Sequence, residues 1–386
     1  MTDPIQLDAA ATTPLDARVL EAMLPWFTER AANASTRSGP GARARAALEE
    51  ARERVARACG ARASGVVFTS GATEANNLAL LGAARARAKH GRRVLVGSSE
   101  HACVRECALA LGREGFVVDW LALDTGGLCD LERAAELLRE DTVLVAQMLV
   151  HNESGAVHPV RELARLVRSR APRAHLHVDA VQALGKLELS LLSLGADSLA
   201  LSAHKLHGPQ GAGALVLSGE RPLAPITFGG GQERGLRPGT ENLAAIVGFG
   251  LAAELAERER PRFSAAAERW RADFLAGLAA LGGWRVLEPQ VRVPAILGLV
   301  APEPASEIRR NHLEARGILT GAGSACQATK ANLSPSLAAL GLDEASIRRF
   351  LRLSLSRESV ACDPGVVVEA LRAVDTELAR PARSAR

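Results

Sequence analysis

At 386 residues, 47% of them hydrophobic, the chain is long enough for one large domain plus a smaller one, and a small disulfide-stapled scaffold is excluded. Charge is nearly balanced, 47 Lys plus Arg against 43 Asp plus Glu, and the arginines are scattered through helix-like segments, so no direct nucleic-acid partner is expected. Cys59, Cys103, Cys107, Cys129, Cys326 and Cys362 form no CxxC pair and fit reduced thiols. With no secretory signal visible at "MTDPIQLDAAATTP" and no apolar run reaching the ~18 residues of a membrane span, a soluble cytoplasmic protein is expected.

In chain order, short apolar runs rich in β-branched residues occur at 65–70, 93–98, 116–123, 142–149, 175–181, 198–204 and 213–218. Helix-like stretches intervene, among them Ala72 to Lys89, Leu131 to Glu140 and Val160 to Arg170. This alternation predicts an α/β domain with a mostly parallel seven-stranded sheet and helices on both faces. Ligands of such sheets gather beyond the carboxyl ends of the strands. From about residue 255 the pattern changes to long Ala/Arg/Glu/Leu helices and short strands near "VPAILGLV" and "LRLSLS", which predicts a smaller α+β domain. The expected division is 15–255 for the large domain, with 1–14 and 256–386 forming the small one. The closing "ELARPARSAR" reads as a frayed tail.

The polar clusters fall at the predicted strand ends. In "FTSGATEANN" a strand ends at Ser70, Gly71 permits a tight turn, and Ala72 and Thr73 open a helix, which makes a phosphate-type cradle or an ordinary capped turn. Asp179 closes the strand of "HLHVDAVQALGK", either pairing with a cationic ring nitrogen or capping the next segment. The chain has only four lysines, Lys89, Lys186, Lys205 and Lys330, and Lys205 ends the apolar strand of "LSAHKLHGPQGAG" with Ser202 and His204 beside it. An aldehyde-reactive lysine, an Asp for a pyridinium nitrogen and a phosphate cradle are the parts needed to hold pyridoxal 5'-phosphate (PLP). His101 follows another strand end and can stack on a flat ring, relay protons or cap a helix. Asn152, in "MLVHNESG", can bond a cofactor or a carboxylate, or serve as a turn residue. Cys326 stands in the Gly/Ala/Ser/Thr stretch "LTGAGSACQATK" and reads as a reactive loop thiol, whereas the other five cysteines read as small core residues. Arg352, Arg349 and Arg357 are alternatives for capturing a substrate carboxylate.

Taken together, "LDAAATTPLD", "FTSGATEANN", "EHACV", "HNESG", "HVDAVQALGK", "SAHKLHGPQGAGAL", "GGGQERGLRPGTEN", "GSAC" and "LRLSLSR", in this order, resemble the cysteine desulfurases of the class V aminotransferase superfamily, which have the PLP-dependent transferase fold type I. The resemblance implies that Lys205 carries the PLP aldehyde and Asp179 pairs with the ring nitrogen. It implies Gln182 on the ring hydroxyl and His101 against the ring. Ala72, Thr73, Ser202 and His204 would hold the phosphate, with Thr240 reaching in from the second subunit of a homodimer. Asn152 and Arg352 would bind the carboxylate of L-cysteine. Cys326 would take the sulfur as a persulfide, leaving L-alanine, and hand it to an iron-sulfur scaffold or another thiolation carrier. Three departures stand out: no His in the segment after Asn33, His151 at the first Asn of an Asn-Asn-Glu stretch, and a longer loop after Cys326 carrying Lys330. Alternative readings are a selenocysteine lyase or another class V enzyme, and a non-catalytic sulfur-carrier or scaffold-binding subunit. No metal ligands are expected.

Overall fold

Runs such as Val66–Thr69 and Thr142–Ala146 place branched side chains on a pleated backbone, and they form strands buried along their whole length. In the computed structural model, residues 4–219, 221–321 and 334–379 are described. Their strands are β1 (Ile5–Leu7), β2 (Val66–Thr69), β3 (Arg93–Gly97), β4 (Val117–Leu121), β5 (Thr142–Ala146), β6 (His175–Asp179), β7 (Ser198–Ser202), β8 (Gly213–Leu217), β9 (Arg285–Leu287), β10 (Ile296–Val300), β11 (Ile318–Thr320) and β12 (Phe350–Ser354).

The seven apolar runs expected as strands join one sheet in the order β2-β8-β7-β6-β5-β3-β4. Strand β8 runs antiparallel to both its neighbours, and every other pair is parallel. Helices Ala72–Arg87 and Ala102–Arg113 bury Leu78, Ala79, Val104 and Leu111 against Val94, Val96, Leu144 and Leu215 of this sheet. Leu78, Val104 and Leu111 alone supply roughly 5–9 kcal/mol of apolar transfer energy before chain entropy is subtracted. Register sets up the interior: His177 on β6 lies opposite Ser198 on β7, and Asp179 opposite Ala200.

The chain divides into two units, one of residues 13–151 and 157–260, the other of residues 1–12, 152–156 and 261–386. The division falls inside the helix Leu243–Leu278, at Pro261, and residues 152–156 go with the smaller unit. A helix rich in Ala and Leu carries no composition shift at that point, so pattern alone put the expected boundary at 255/256. In the smaller unit β12, β10 and β9 form an antiparallel sheet, and β1 pairs in parallel with β11. Phe263, Trp270 and Phe274 of the long helix pack on Leu297, Leu299, Leu351 and Leu353. Strands β1, β9 and β11 have three residues each, too short for a readable alternation.

Two cysteines differ from the expectation of small core residues. Cys59, Cys107 and Cys129 are buried, but Cys103 and Cys362, at or just before a helix start, are half-buried against the edges of the two cores. No described helix is long and apolar enough to cross a membrane. The expected tail 377–386 begins inside the helix Pro364–Leu378, and residues 380–386 lie outside the described residues.

Candidate active site

Lys205 stands in the single 3-10 turn Ala203–Lys205 that follows β7. Thr13 clamps this turn by donating its backbone N–H (3.0 Å) and its hydroxyl (3.0 Å) to the His204 carbonyl. The same hydroxyl accepts the His207 N–H at 2.7 Å. His207 has φ +60°, the left-handed region that L-residues other than Asn, Asp and His rarely enter. Its ring repays the strain locally, with Nδ1–H donating to the Pro14 carbonyl at 3.0 Å while its own carbonyl accepts from Asp16 N–H. So His207 is a fastener that holds the lysine turn to residues 13–16. Burial, and then the charge of Lys205, lowers the His204 imidazole to about 4, so it is neutral at pH 7.

Asp179 ends β6, and its Oδ1 accepts the Val181 N–H at 3.0 Å, so it does cap the turn that follows. Its Oδ2 accepts a proton of the Asn76 amide at 2.8 Å. His101 is likewise a cap: it precedes the helix Ala102–Arg113, and its Nδ1 accepts the Cys103 N–H at 3.2 Å. A neutral His101 therefore carries its proton on Nε2. Burial lowers the His101 pKa, Asp179 works against that shift, and Lys205 adds to it. Asp179 ends β6 and Lys205 follows its parallel neighbour β7, so both lie beyond the ends of neighbouring strands, within electrostatic reach of His101.

The helix Ala72–Arg87 starts directly after Gly71 with no side chain capping it, and the space in front of Gly71 is open. Its first N–H groups and the exposed Thr73 are thereby left for an anion. A Cβ on Gly213 would come within 2.6 Å of Gly71, so only glycine lets β8 approach this turn. Glu74 reaches back to the Ser70 N–H at 2.5 Å and pairs with Arg237 at 3.1 Å. Arg237 and Thr240 line one hollow with Glu74, and Thr240 is exposed there. Ser202 and Gln182 are buried at the ends of β7 and just after β6.

Asn152 and Arg352 belong to the smaller unit. Arg352 is 2% exposed, which separates it from the half-buried Arg357 and Arg349. Its guanidinium pairs with Asp8 at 2.7 Å and donates to the Asn152 carbonyl at 3.1 Å, while its Nε has no partner among the described residues. Gly321 exchanges two backbone bonds with Arg352, and a Cβ there would meet Asp8 Oδ1 at 2.5 Å. Cys326 lies outside the described residues.

Sequence reasoning passed over five residues at this site. Glu100 is buried and its Oε1 accepts the Met148 N–H; burial, and secondly the Asp179 charge, push its carboxyl well above the usual range. Lys186 is buried too, and burial plus the charge of Lys205 bring it down to about 8. Asn76, His177 and Cys103 touch Asp179 or its immediate partners. The signals were present: His177 shares a strand face with Asp179 at a spacing of two, and Asn76 lies one helical turn after Thr73.

The family model described as Aminotransferase class-V matches residues 5–363 of this chain. The chain is 38% identical over 368 residues to "Cysteine desulfurase IscS 1" of Archaeoglobus fulgidus, spanning 95% of this chain and 96% of the relative. Among solved structures it is similar to a "NifS-like protein", with a TM-score of 0.90 and 33% identity over 97% of this chain and 100% of the other. A second, "SspA in complex with cysteine", has a TM-score of 0.80 and 33% identity over 91% of this chain and 98% of that one. With its lysine turn, strand-end aspartate and open helix start in place, the chain belongs to the class-V aminotransferase family, among its PLP-dependent cysteine desulfurases.

Proposed function

We propose that this protein converts L-cysteine to L-alanine, holding the sulfur as a persulfide on Cys326 and passing it to an iron-sulfur scaffold or another thiolation carrier. The observation that carries this reading is the meeting of Lys205 and Asp179 at the ends of neighbouring strands in a family of cysteine desulfurases. The residues present fit PLP. A carboxylate held by Asn76 and Val181 suits a ring nitrogen, the uncapped start of helix Ala72–Arg87 suits a phosphate, and the clamped turn presents an amine. Bound there, PLP supplies an electron sink for the charge left on a substrate carbon that loses a proton.

The chain's own groups then divide the work. Asp179 would keep the ring nitrogen protonated, and His101 and Gln182 would hold the ring and its hydroxyl. Ala72, Thr73, Ser202 and His204 would hold the phosphate, with Thr240 contributed across a homodimer. Lys205 Nζ, presented by its clamped turn, takes the proton from Cα of the substrate. Arg352, with Asn152, binds the substrate carboxylate. The Cys326 thiolate attacks the substrate sulfur: a new S–S bond forms, the C–S bond breaks, and its electrons go to the carbon that becomes alanine's Cβ after protonation. Cysteine and thiol thus become alanine and persulfide with no added oxidant, and exchange with a partner thiol restores Cys326. The cytoplasm, where thiols stay reduced, suits five described cysteines that are all free.

The test is alanine and sulfide production from L-cysteine by the purified protein, with an absorbance spectrum and a Cys326→Ser control. Equal alanine and sulfide from the wild type, lost in the control, is the expected result. A bound chromophore with neither product rejects cysteine as the substrate.

A further inference from the structure

A chain of buried polar groups leads away from Asp179 into the sheet. Asn76 Nδ2 donates to Asp179 Oδ2 at 2.8 Å, and Asn76 Oδ1 lies 2.7 Å from His177 Nε2. His177 Nδ1 lies 2.7 Å from Ser198 Oγ, which is 2.8 Å from His175 Nε2. Asn76, His177, Ser198 and His175 are each 0% exposed. Asn76 Nδ2 also lies 3.2 Å from Cys103 Sγ, itself 3.1 Å from His101 Nδ1.

The donors and acceptors in this set have a single consistent assignment. A carboxylate only accepts, so the Asn76 nitrogen must face Asp179 and its oxygen must face His177. His177 therefore bears a proton on Nε2. Burial, together with the neighbouring His175, holds the His177 imidazole at about 3, so the ring is neutral and its Nδ1 is bare. Ser198 must give its one hydroxyl proton to that nitrogen, and the contact with His175 is then an N–H donated by His175 Nε2. His175 Nδ1 is left bare, and it is the atom of the set with no partner among the described residues. On the other branch, His101 Nδ1 already accepts the Cys103 N–H, so it can only accept from the Cys103 thiol as well. The charge on one aspartate thus dictates the tautomers of two interior histidines and the orientation of one amide.

We propose that Asn76, oriented by His177, is a positioning residue that holds both Asp179 and, through Cys103, His101 in a fixed hydrogen-bonding sense toward the cofactor. The inference rests on the PLP reading above and adds to it the interior groups that keep the two ring-facing residues in register. Buried networks of this kind act as a unit, because breaking one link leaves its neighbours unpaired in a low dielectric. Cys103 is a participant by the same geometry; burial, and then Asp179, push its thiol up to about 12, so it stays an S–H donor. The titratable groups that feel Asp179 here are Glu100, His101 and Cys103, and Lys205 acts on His101 beside it.

Two readouts test the proposal. Nitrogen-15 spectra of the histidine side chains, with the His177 signal identified by its loss in His177→Gln, should show a protonated Nε2 and a bare Nδ1 in the wild type. The pH midpoint of the bound cofactor's absorbance should move by about one unit, a tenfold change in proton affinity, in Asn76→Leu and His177→Leu holoenzyme. It should stay within about 0.3 unit in His177→Gln, whose amide can still donate to Asn76. A His177 proton on Nδ1, or an unmoved midpoint in folded His177→Leu, overturns the network. A wild type without any chromophore overturns the PLP reading instead, and the tautomer measurement separates the two failures even where Asn76→Leu does not fold.

Discussion

The surroundings of Asp179 and of Arg352 solve one problem, a fixed charge largely out of water, by opposite means. Asp179 is held by neutral dipoles, the Asn76 amide and the Val181 N–H, with further neutral groups behind them. Arg352 is held by a counter-charge, Asp8 at 2.7 Å, and by one carbonyl. Neutral dipoles leave a carboxylate's charge available to a cationic ring, whereas a guanidinium tied to a carboxylate must share its donors with any substrate carboxylate. The roles proposed for them differ in the same way: Asp179 would hold a cofactor permanently, and Arg352 would bind and release a substrate.

Substitutions can break this comparison, and the largest effect falls at the lysine turn. Lys205→Ala should abolish both the chromophore and turnover, read by absorbance and alanine assay. Next, Arg352→Ala should raise KM for L-cysteine by roughly 30-fold or more, since a lost charge-assisted bond costs about 2–5 kcal/mol. Its spectrum should be unchanged, and a chromophore lost with Arg352 would erase the distinction between the two regions. Smaller effects should come from two glycines. Gly213→Ala pushes a Cβ to 2.6 Å from Gly71 and should weaken PLP retention on dialysis, while Gly321→Ala crowds Asp8 and Arg352 and should raise KM alone.

The mildest test is acid. His158 is held at about 4 and His177 at about 3 by burial, each against an ordinary 6.5. Below pH 6.5 the unfolded chain takes up protons that these two refuse when folded, so unfolding binds protons and stability falls as pH drops from about 6.5 toward 4. Each contributes about 1.4 kcal/mol per pH unit in that window, with His204, more exposed, adding less. Thermal melts between pH 7.5 and 4.5 should show the decline, and His177→Gln should reduce its slope without removing it.

Much of this was legible in the chain. The seven strands of the large sheet were readable because each is a short apolar run between helical patterns, and Asp179, Lys205 and His101 stand at or just after polar strand ends. The capping alternatives for Asp179 and His101 hold, and they leave room for the proposed roles because a cap uses only one atom of either side chain. Arg352 could not be chosen over Arg349 and Arg357 by pattern, since burial, which singles it out, depends on β10 and the segment around Asp8.

Sequence by itself determined the α/β alternation, the strand-end residues and the rarity of lysine, because these follow from local periodicity and composition. Tertiary structure alone decided which polar groups meet. His177 pairs with Ser198 through the β6/β7 register, Asn76 reaches His177 and Asp179 from a helix about a hundred residues earlier, and Thr13 fastens a turn 191 residues away. The physical reason is that a hydrogen bond needs its partners within about 3 Å, and strand order and register, which bring distant residues that close, are properties of the assembled sheet.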